Sequence, residues 1–186
     1  ESKRDFGERR PTDRPFFQPG SMAPLDARAL VNIAGAGPDT TVVDPMCGTG
    51  GLLLEAGLVG SDVIGVDAQW KMTRGSRENL TALLEEADIE IIHGDATALP
   101  IVDACADAVV FDAPYGRQSK IARHELADLV GGALAEARRI ADRAVVVADR
   151  SWEAEAENAG WTVDRRFERR VHGSLVRHVH VLTGEN

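Results

Sequence analysis

Two short stretches of this chain hold the residue types that could do chemistry. The first is Asp44-Pro-Met-Cys-Gly-Thr-Gly-Gly51 and the second is Asp112-Ala-Pro-Tyr-Gly-Arg117. In the first, an acid precedes Gly48, Gly50 and Gly51, residues that let a tight turn bring the backbone close to a ligand. A plain strand-to-helix turn would account for the glycines alone. The stretch lacks the third glycine of the G-x-G-x-x-G dinucleotide fingerprint, and its acid would repel a pyrophosphate. The same acid suits a ligand that presents an ammonium group. S-adenosylmethionine (AdoMet) presents one, together with a sulfonium.

The second stretch suits methyl transfer to an exocyclic amine, an in-line displacement on that sulfonium. An aromatic amine resists the reaction because its lone pair is delocalised into the ring. Asp112 and the backbone carbonyl after it can each accept one N–H and draw the nitrogen toward a tetrahedral shape. Pro114 restricts the turn, and Tyr115, the single tyrosine of the chain, offers a flat face on which a base can stack. The alternative is an Asp-Pro turn with a half-buried tyrosine.

These residues need a scaffold, and the hydrophobic pattern supplies one. Thr41 to Asp44 reads as a short buried strand after the turn residues Gly37-Pro38-Asp39. Ser61–Asp67, Glu90–Asp95 and Ala106–Asp112 read as further strands ending in acids, and Ala144–Ala148 as a fifth. Between them, helical spacing is predicted from Pro24 to Ala34, after Gly51, over Trp70–Glu86 and over 122–142, where Gly131-Gly132 weakens the middle. Ser151 can cap a short helix through Ala159. Trp161–Val171 and Leu175–Leu182 alternate as a hairpin around His172-Gly173-Ser174. The expectation is an α/β, Rossmann-like, doubly wound and mostly parallel sheet of seven strands with a C-terminal antiparallel hairpin.

In such a sheet, ligands sit beyond the carboxyl ends of the strands. Asp favours turns and caps, so any one of Asp44, Asp67, Asp95 and Asp112 could be structural. Four in series would line one edge. Asp67 lies 23 residues past Asp44, near the spacing at which an acid accepts ribose hydroxyls. Asp95, after His93-Gly94, can approach an adenine amino group, and Asp44 lies beside the glycine turn.

The chain of 186 residues suffices for one domain with a proper core. It holds no apolar run long enough to span a membrane and begins without a methionine, as a piece of a longer protein or a processed one would. Cys47 and Cys105 suggest no disulfide framework, and a reducing cytoplasm is expected. The net charge of −9 is uneven: residues 1–14 carry +1, residues 165–186 carry +3, and the middle carries −13. Three lysines stand against 18 arginines. A halophile's solvated acidic surface or a GC-rich genome would each produce this balance. Residues 1–14 read as a linker or arm, and residues 15–186 as the domain. Phe16 and Phe17 are too apolar for a free tail.

The two stretches together resemble the class I AdoMet-dependent amino-methyltransferases. With Phe17-Gln-Pro-Gly-Ser-Met-Ala-Pro24 placed before the glycine turn, the chain is similar, over roughly residues 14 to 183, to the catalytic domain of archaeal tRNA (guanine-10-N2) methyltransferases. The resemblance implies that Pro19 and Ser21 in the lead-in, with Asp44, Cys47, Gly48 and Gly50, hold the methionine end of AdoMet. It gives Asp67 and Ala68 to the ribose, and Asp95 and Ala96 to the adenine. Asp112, Pro114 and Tyr115 would position the guanine N2. It further implies a tRNA partner gripped mainly by a THUMP-type N-terminal region that nothing here matches, and a monomer is expected. The family's loop usually reads Asp-Pro-Pro-Tyr, so Ala113 departs from it.

Other chemistry fits less well. Covalent C5-methylation of a pyrimidine needs a cysteine in the substrate loop, which has none, so Cys47 reads as small-residue packing. His178 and His180 share a strand face with His172 nearby, yet no metal site is expected. The same chemistry on adenine N6, on rRNA guanine or on glutamine, and a non-catalytic AdoMet-binding subunit, stay open as alternatives. Arg165, Arg166, Arg169, Arg170 and Arg177 form the one basic concentration, either as phosphate contacts or as a solvated hairpin face.

Overall fold

The computed structural model describes residues 6–115, 123–172 and 175–184. Seven strands form one sheet: β1 (Thr41–Asp44), β2 (Asp62–Asp67), β3 (Ile89–His93), β4 (Ala108–Asp112), β5 (Arg143–Ala148), β6 (Thr162–His172) and β7 (Leu175–Thr183). Their order is β3-β2-β1-β4-β5-β7-β6. The first five run parallel, and β7 inserts antiparallel between β5 and β6. The strand order reverses at β1 and β4, where the two candidate stretches lie side by side.

The central strands are apolar on both faces because helices cover both. Val42, Val110, Val145 and Val147 pack with α1 (Pro24–Ala34), α2 (Gly51–Gly57) and α3 (Trp70–Leu83). Val43, Val109, Phe111, Val146 and Ala148 face α4 (Arg123–Ile140) and α5 (Glu153–Asn158). Pro24 opens α1 at its first turn, and Gly35, at φ 90°, ends it. The Gly131-Gly132 pair does not break α4, whose Leu126, Val130, Ala133, Leu134, Ala137 and Ile140 are all buried. That apolar stripe outweighs about 1 kcal/mol of lost propensity per glycine.

Several boundaries differ from the sequence pattern. Helix α3 ends at Leu83, because Leu84 turns extended and buries its side chain. Strand β3 stops at His93, so Asp95 lies two residues beyond its end, in a turn bridged to Ala98. Helix α5 starts at Glu153 with Trp152 at its N-cap, and Ser151 Oγ accepts the Glu153 N–H only at 3.4 Å. Among the described residues no helix is long and apolar enough to cross a membrane.

Two features place the site. The β6–β7 pairing continues to His172↔Leu175, whereas β5 pairs with β7 only as far as Ala148↔His178. The hairpin therefore overhangs the carboxyl end of β5, beside the end of β4; its turn residues Gly173 and Ser174 lie outside the described residues. At the other side, Gly7–Arg9 and Pro11–Asp13 form short 3₁₀ turns. Phe16 then seats against Gly75, where any Cβ would collide with its ring. The Phe16 N–H donates to Asn79 Oδ1, and Asn79 Nδ2 donates to the carbonyls of Phe16 and Thr49. The lead-in is thus tied through α3 to the glycine turn.

Candidate active site

The turn after β1 is built on glycines in a conformation that favours them. Gly48 and Gly50 hold φ of 52° and 77°, a left-handed region that costs a side-chain-bearing residue about 1–2 kcal/mol. A Cβ on Gly48 would meet nothing within 4 Å, so the backbone there faces open space. The Cys47 N–H donates to Val66 O, and the Gly48 N–H donates to Asp67 Oδ2 at 3.0 Å. These bonds join the ends of β1 and β2 into one cradle. In the lead-in, Ser21 Oγ donates to Gln18 O and sits 3.2 Å from Thr49 Oγ1, against the same turn. Pro19 is exposed in a turn.

Three strand-end acids converge. Asp44 is 2% exposed, and its Oδ1 accepts the Met46 N–H. Burial pushes its carboxyl well above the usual range, and the charges of Asp67 and Asp112 push it further. Asp67 accepts from Gly48 and Gln69 yet is still raised, mainly by burial. Asp112 is raised to about 6, first by burial and against the pull of Arg177. Asp95 does not join them. It is exposed, and its Oδ1 accepts both the N–H and the hydroxyl of Thr97, which lower its carboxyl. Ala68 is exposed and its carbonyl meets His93 Nε2 at 2.9 Å, while Ala96 is buried. Trp70, two residues past Ala68, stacks on the same His93 ring at 4.1 Å.

Cys47 is buried, and burial together with Asp44 and Asp67 drives its thiol well upward. It stays protonated and is packing, not a nucleophile. His180 is also structural: its Nε2 accepts the Trp152 N–H and its Nδ1 faces Val146 O.

At the end of β4, the Tyr115 hydroxyl donates to Asp112 Oδ1 at 2.8 Å. The Ala113 N–H donates to Val147 O at 2.8 Å, a bond that proline at this position could not make. Gly116 and Arg117 of the same loop lie outside the described residues. Arg177 of β7 belongs here, although the sequence grouped it with the basic hairpin. It is buried, its Nε donates to Tyr115 Oη at 2.8 Å, and its guanidinium lies 3.8 Å from both Asp112 Oδ2 and Asp26 Oδ2. Its parity with the buried Val179 and Val181 was the available signal.

A cationic group would suit these acids. Asp44 and Asp67 have no described ion-pair partner, and both are raised by burial. An ammonium and a sulfonium beside an open glycine turn would satisfy that donor set, so the residues present fit AdoMet.

Residues 11–179 match the family model described as "RMKL-like, methyltransferase domain". The chain is 38% identical to the tRNA (guanine(10)-N2)-dimethyltransferase of Methanothermobacter thermautotrophicus, over 97% of this chain and 54% of that protein. It is 34% identical to the protein of the same name from Methanocaldococcus jannaschii, over 95% of this chain and 50% of that one. The crystal structure of TrmN from Thermus thermophilus superposes with a TM-score of 0.74 at 26% identity, covering 90% of this chain and 50% of the other. The chain spans about half the length of the curated relatives it matches.

Proposed function

Because the chain belongs to the RMKL-like methyltransferase domain family, we propose that it transfers a methyl group from AdoMet to the exocyclic N2 of a guanine in tRNA, at position 10. The observation that supports this best is the placement of Asp112 and Tyr115 directly across β1 and β4 from the glycine turn, in a chain whose relatives carry that activity in their names. AdoMet, when bound, supplies an electrophilic methyl on a sulfonium. Pro19, Ser21, Asp44, Cys47, Gly48 and Gly50 would hold its methionine end, with Asp44 as the acceptor for the ammonium. Asp67 keeps free lone pairs for the ribose hydroxyls beside Ala68, since each carboxylate oxygen can accept twice. Asp95 and Ala96 border the adenine.

Asp112 Oδ1 accepts one N–H of the guanine amine, and the main-chain carbonyl after it accepts the other. Pro114 limits the loop, and the Tyr115 ring stacks on the base. AdoMet would supply the methyl to that nitrogen, and Asp112 would take the amine proton. Ionised Asp112 is the competent form, so the rate falls as pH drops through about 6.

The setting follows the same reading: residues 1–14 join a catalytic domain at 15–186 to an N-terminal RNA-binding region. The protein is a cytoplasmic, monomeric, RNA-binding enzyme of an archaeon living in high salt. The test is mass spectrometry of nucleosides from unmodified tRNA incubated with AdoMet and the natural protein that contains this chain. N2-methylated guanosine is expected. Methyl groups found only on adenine, on ribosomal guanine or on protein would overturn the substrate assignment, and none on any of them would overturn the activity.

A further inference from the structure

Arg177 is the one guanidinium seen to touch the substrate loop among the described residues, and it approaches from an element remote in sequence. It sits on β7 one position beyond the last β5–β7 pair, in the overhanging part of the hairpin. Its Nε holds the Tyr115 phenol oxygen, one Nη lies by Asp112 Oδ2, and the other lies by Asp26 Oδ2 on α1. Asp26 is held from outside by Arg169 Nη2 at 2.7 Å. The loop, the hairpin and the first turn of α1 thus meet at a single buried side chain. The Nε bond at 2.8 Å fixes direction, while the two Nη contacts at 3.8 Å act through charge.

The arrangement has a consequence for the acceptor. The Tyr115 hydroxyl occupies Asp112 Oδ1, the oxygen free of Arg177. A target amine can displace that hydroxyl or share the oxygen with it, since a carboxylate oxygen can accept twice. When the phenol proton swings away, the phenol oxygen keeps its bond to Arg177 Nε, so the ring need not move. We infer that Arg177 is a positioning residue of the substrate loop: its hydrogen bond holds Tyr115 Oη and its charge faces Asp112 Oδ2, so that Oδ1 is the oxygen left to the target amine while the tyrosine ring stays in place for the base. This rests on the reading of Asp112 as the amine acceptor.

The charge of Asp112 depends on the same contact. The groups facing it are Tyr115 on its own loop, Arg177 on β7, Asp149 after β5 and Asp44 on β1, with Asp26 of α1 behind Arg177. Of these, Arg177 is the cation that keeps Asp112 ionised near neutrality.

The experiment compares wild type, R177M and R177K in the natural protein, with unmodified tRNA and AdoMet, over pH 5 to 9. In R177M the acid limb of kcat should move upward by about 1–3 units, the effect of removing a close opposite charge. R177K should restore the limb while kcat stays about 10- to 100-fold low, because a point charge cannot hold both groups. Affinity for S-adenosylhomocysteine by calorimetry should be unchanged in both. An equal loss at every pH, or a parallel loss of that affinity, would mean a merely structural arginine and overturn the proposal.

Tyr115 gives a second readout that needs no activity, since it is the single tyrosine of the 186-residue chain. In that chain labelled with ring-¹³C tyrosine, the signal should titrate with a midpoint near 6, and 1–3 units higher in R177M. A midpoint unmoved by R177M sinks the proposal. Should R177M not fold, R177K decides: wild-type kcat overturns the proposal, and reduced kcat with an unmoved acid limb supports it. A wild type that methylates no guanine but keeps the tyrosine titration would sink the assigned reaction and leave the hold of Arg177 on Asp112 standing.

Discussion

In the proposed reaction Asp112 stands under two opposed demands: it must be ionised to accept an amine, and it is buried enough to resist ionisation. Its carboxyl is raised to about 6 from an unfolded value of about 3.9. The sign follows from linkage. The folded state holds the proton more tightly, so the stabilising contribution is full below about pH 4 and is lost as pH rises through about 6, a change of about 2–3 kcal/mol. D112N removes that titration. It should therefore unfold at higher urea than wild type at pH 8, with the advantage shrinking at pH 5, while turnover falls about 10²- to 10³-fold. A wild type that is the more stable at pH 8 would show that the Arg177 pair outweighs burial. Tyr115 divides into ring and hydroxyl. Y115A should weaken base binding by about 1–3 kcal/mol. Y115F should keep that affinity but lose a donor to Asp112 Oδ1, raising the acid limb of the rate; if Y115F loses base affinity as fully as Y115A, stacking is not the role of the ring. Asp67→Ala should cost about 1.5–3 kcal/mol of AdoMet affinity by calorimetry, and equal affinity would remove Asp67 from the cofactor. Ala113 also becomes intelligible at this scale. What the missing proline would have fixed by its ring, the N–H bond to Val147 O fixes by extending the β4–β5 ladder.

The elements that carry these residues were legible where the signal is local. Strand β1, the glycine turn and the end of β4 fall where the β-branched runs and turn residues put them, because both faces of those strands are buried and both ends are chemically marked. The end of β3 was less legible. Asp95 looks like a strand-end acid by analogy with its neighbours, yet its bonds to Thr97 close a turn that the hydrophobic run does not encode. Arg177 was harder still, since its partners depend on β7 inserting between β5 and β6, a pairing across more than 60 residues from Tyr115. The 3₁₀ lead-in has the same character. Glu55 on α2 is fully buried and ion-paired to Arg9 Nε at 2.9 Å and to Arg28 Nη2 at 2.8 Å. One carboxylate thus ties the lead-in and α1 to the helix behind the glycine turn. Glu55→Ala would leave those guanidinium groups uncompensated and should lower stability by about 3–5 kcal/mol. Urea unfolding with an unchanged slope is the measure. A loss under 1 kcal/mol would show that the lead-in is only loosely attached.

On the scale of the whole molecule, the acidic charge that suits the cofactor works against the proposed substrate. The middle of the chain carries −13, and the arginines of the hairpin are largely engaged: Arg166 with Glu153, Arg169 with Asp26, and Arg177 within the site. A guanine in a folded tRNA must leave its stack before its amine can reach Asp112, at a cost of a few kcal/mol. That cost has to be offset by contacts to the surrounding RNA, mostly phosphate contacts. This chain offers few, and the two archaeal relatives described above are about twice as long. The chain alone should therefore bind AdoMet with the affinity of the longer natural protein, because the cradle of β1, β2 and the lead-in is complete within it. It should bind tRNA more weakly and methylate it more slowly. The difference should lie in tRNA affinity and its salt dependence: a protein that carries the proposed N-terminal RNA-binding region should make more phosphate contacts, so its affinity should fall more steeply as salt rises. Measuring both proteins at matched salt, with S-adenosylhomocysteine affinity as the internal control, decides the matter. Equal tRNA affinity, equal rate and equal salt slope would place recognition within residues 1–186 and return the hairpin arginines to the RNA surface.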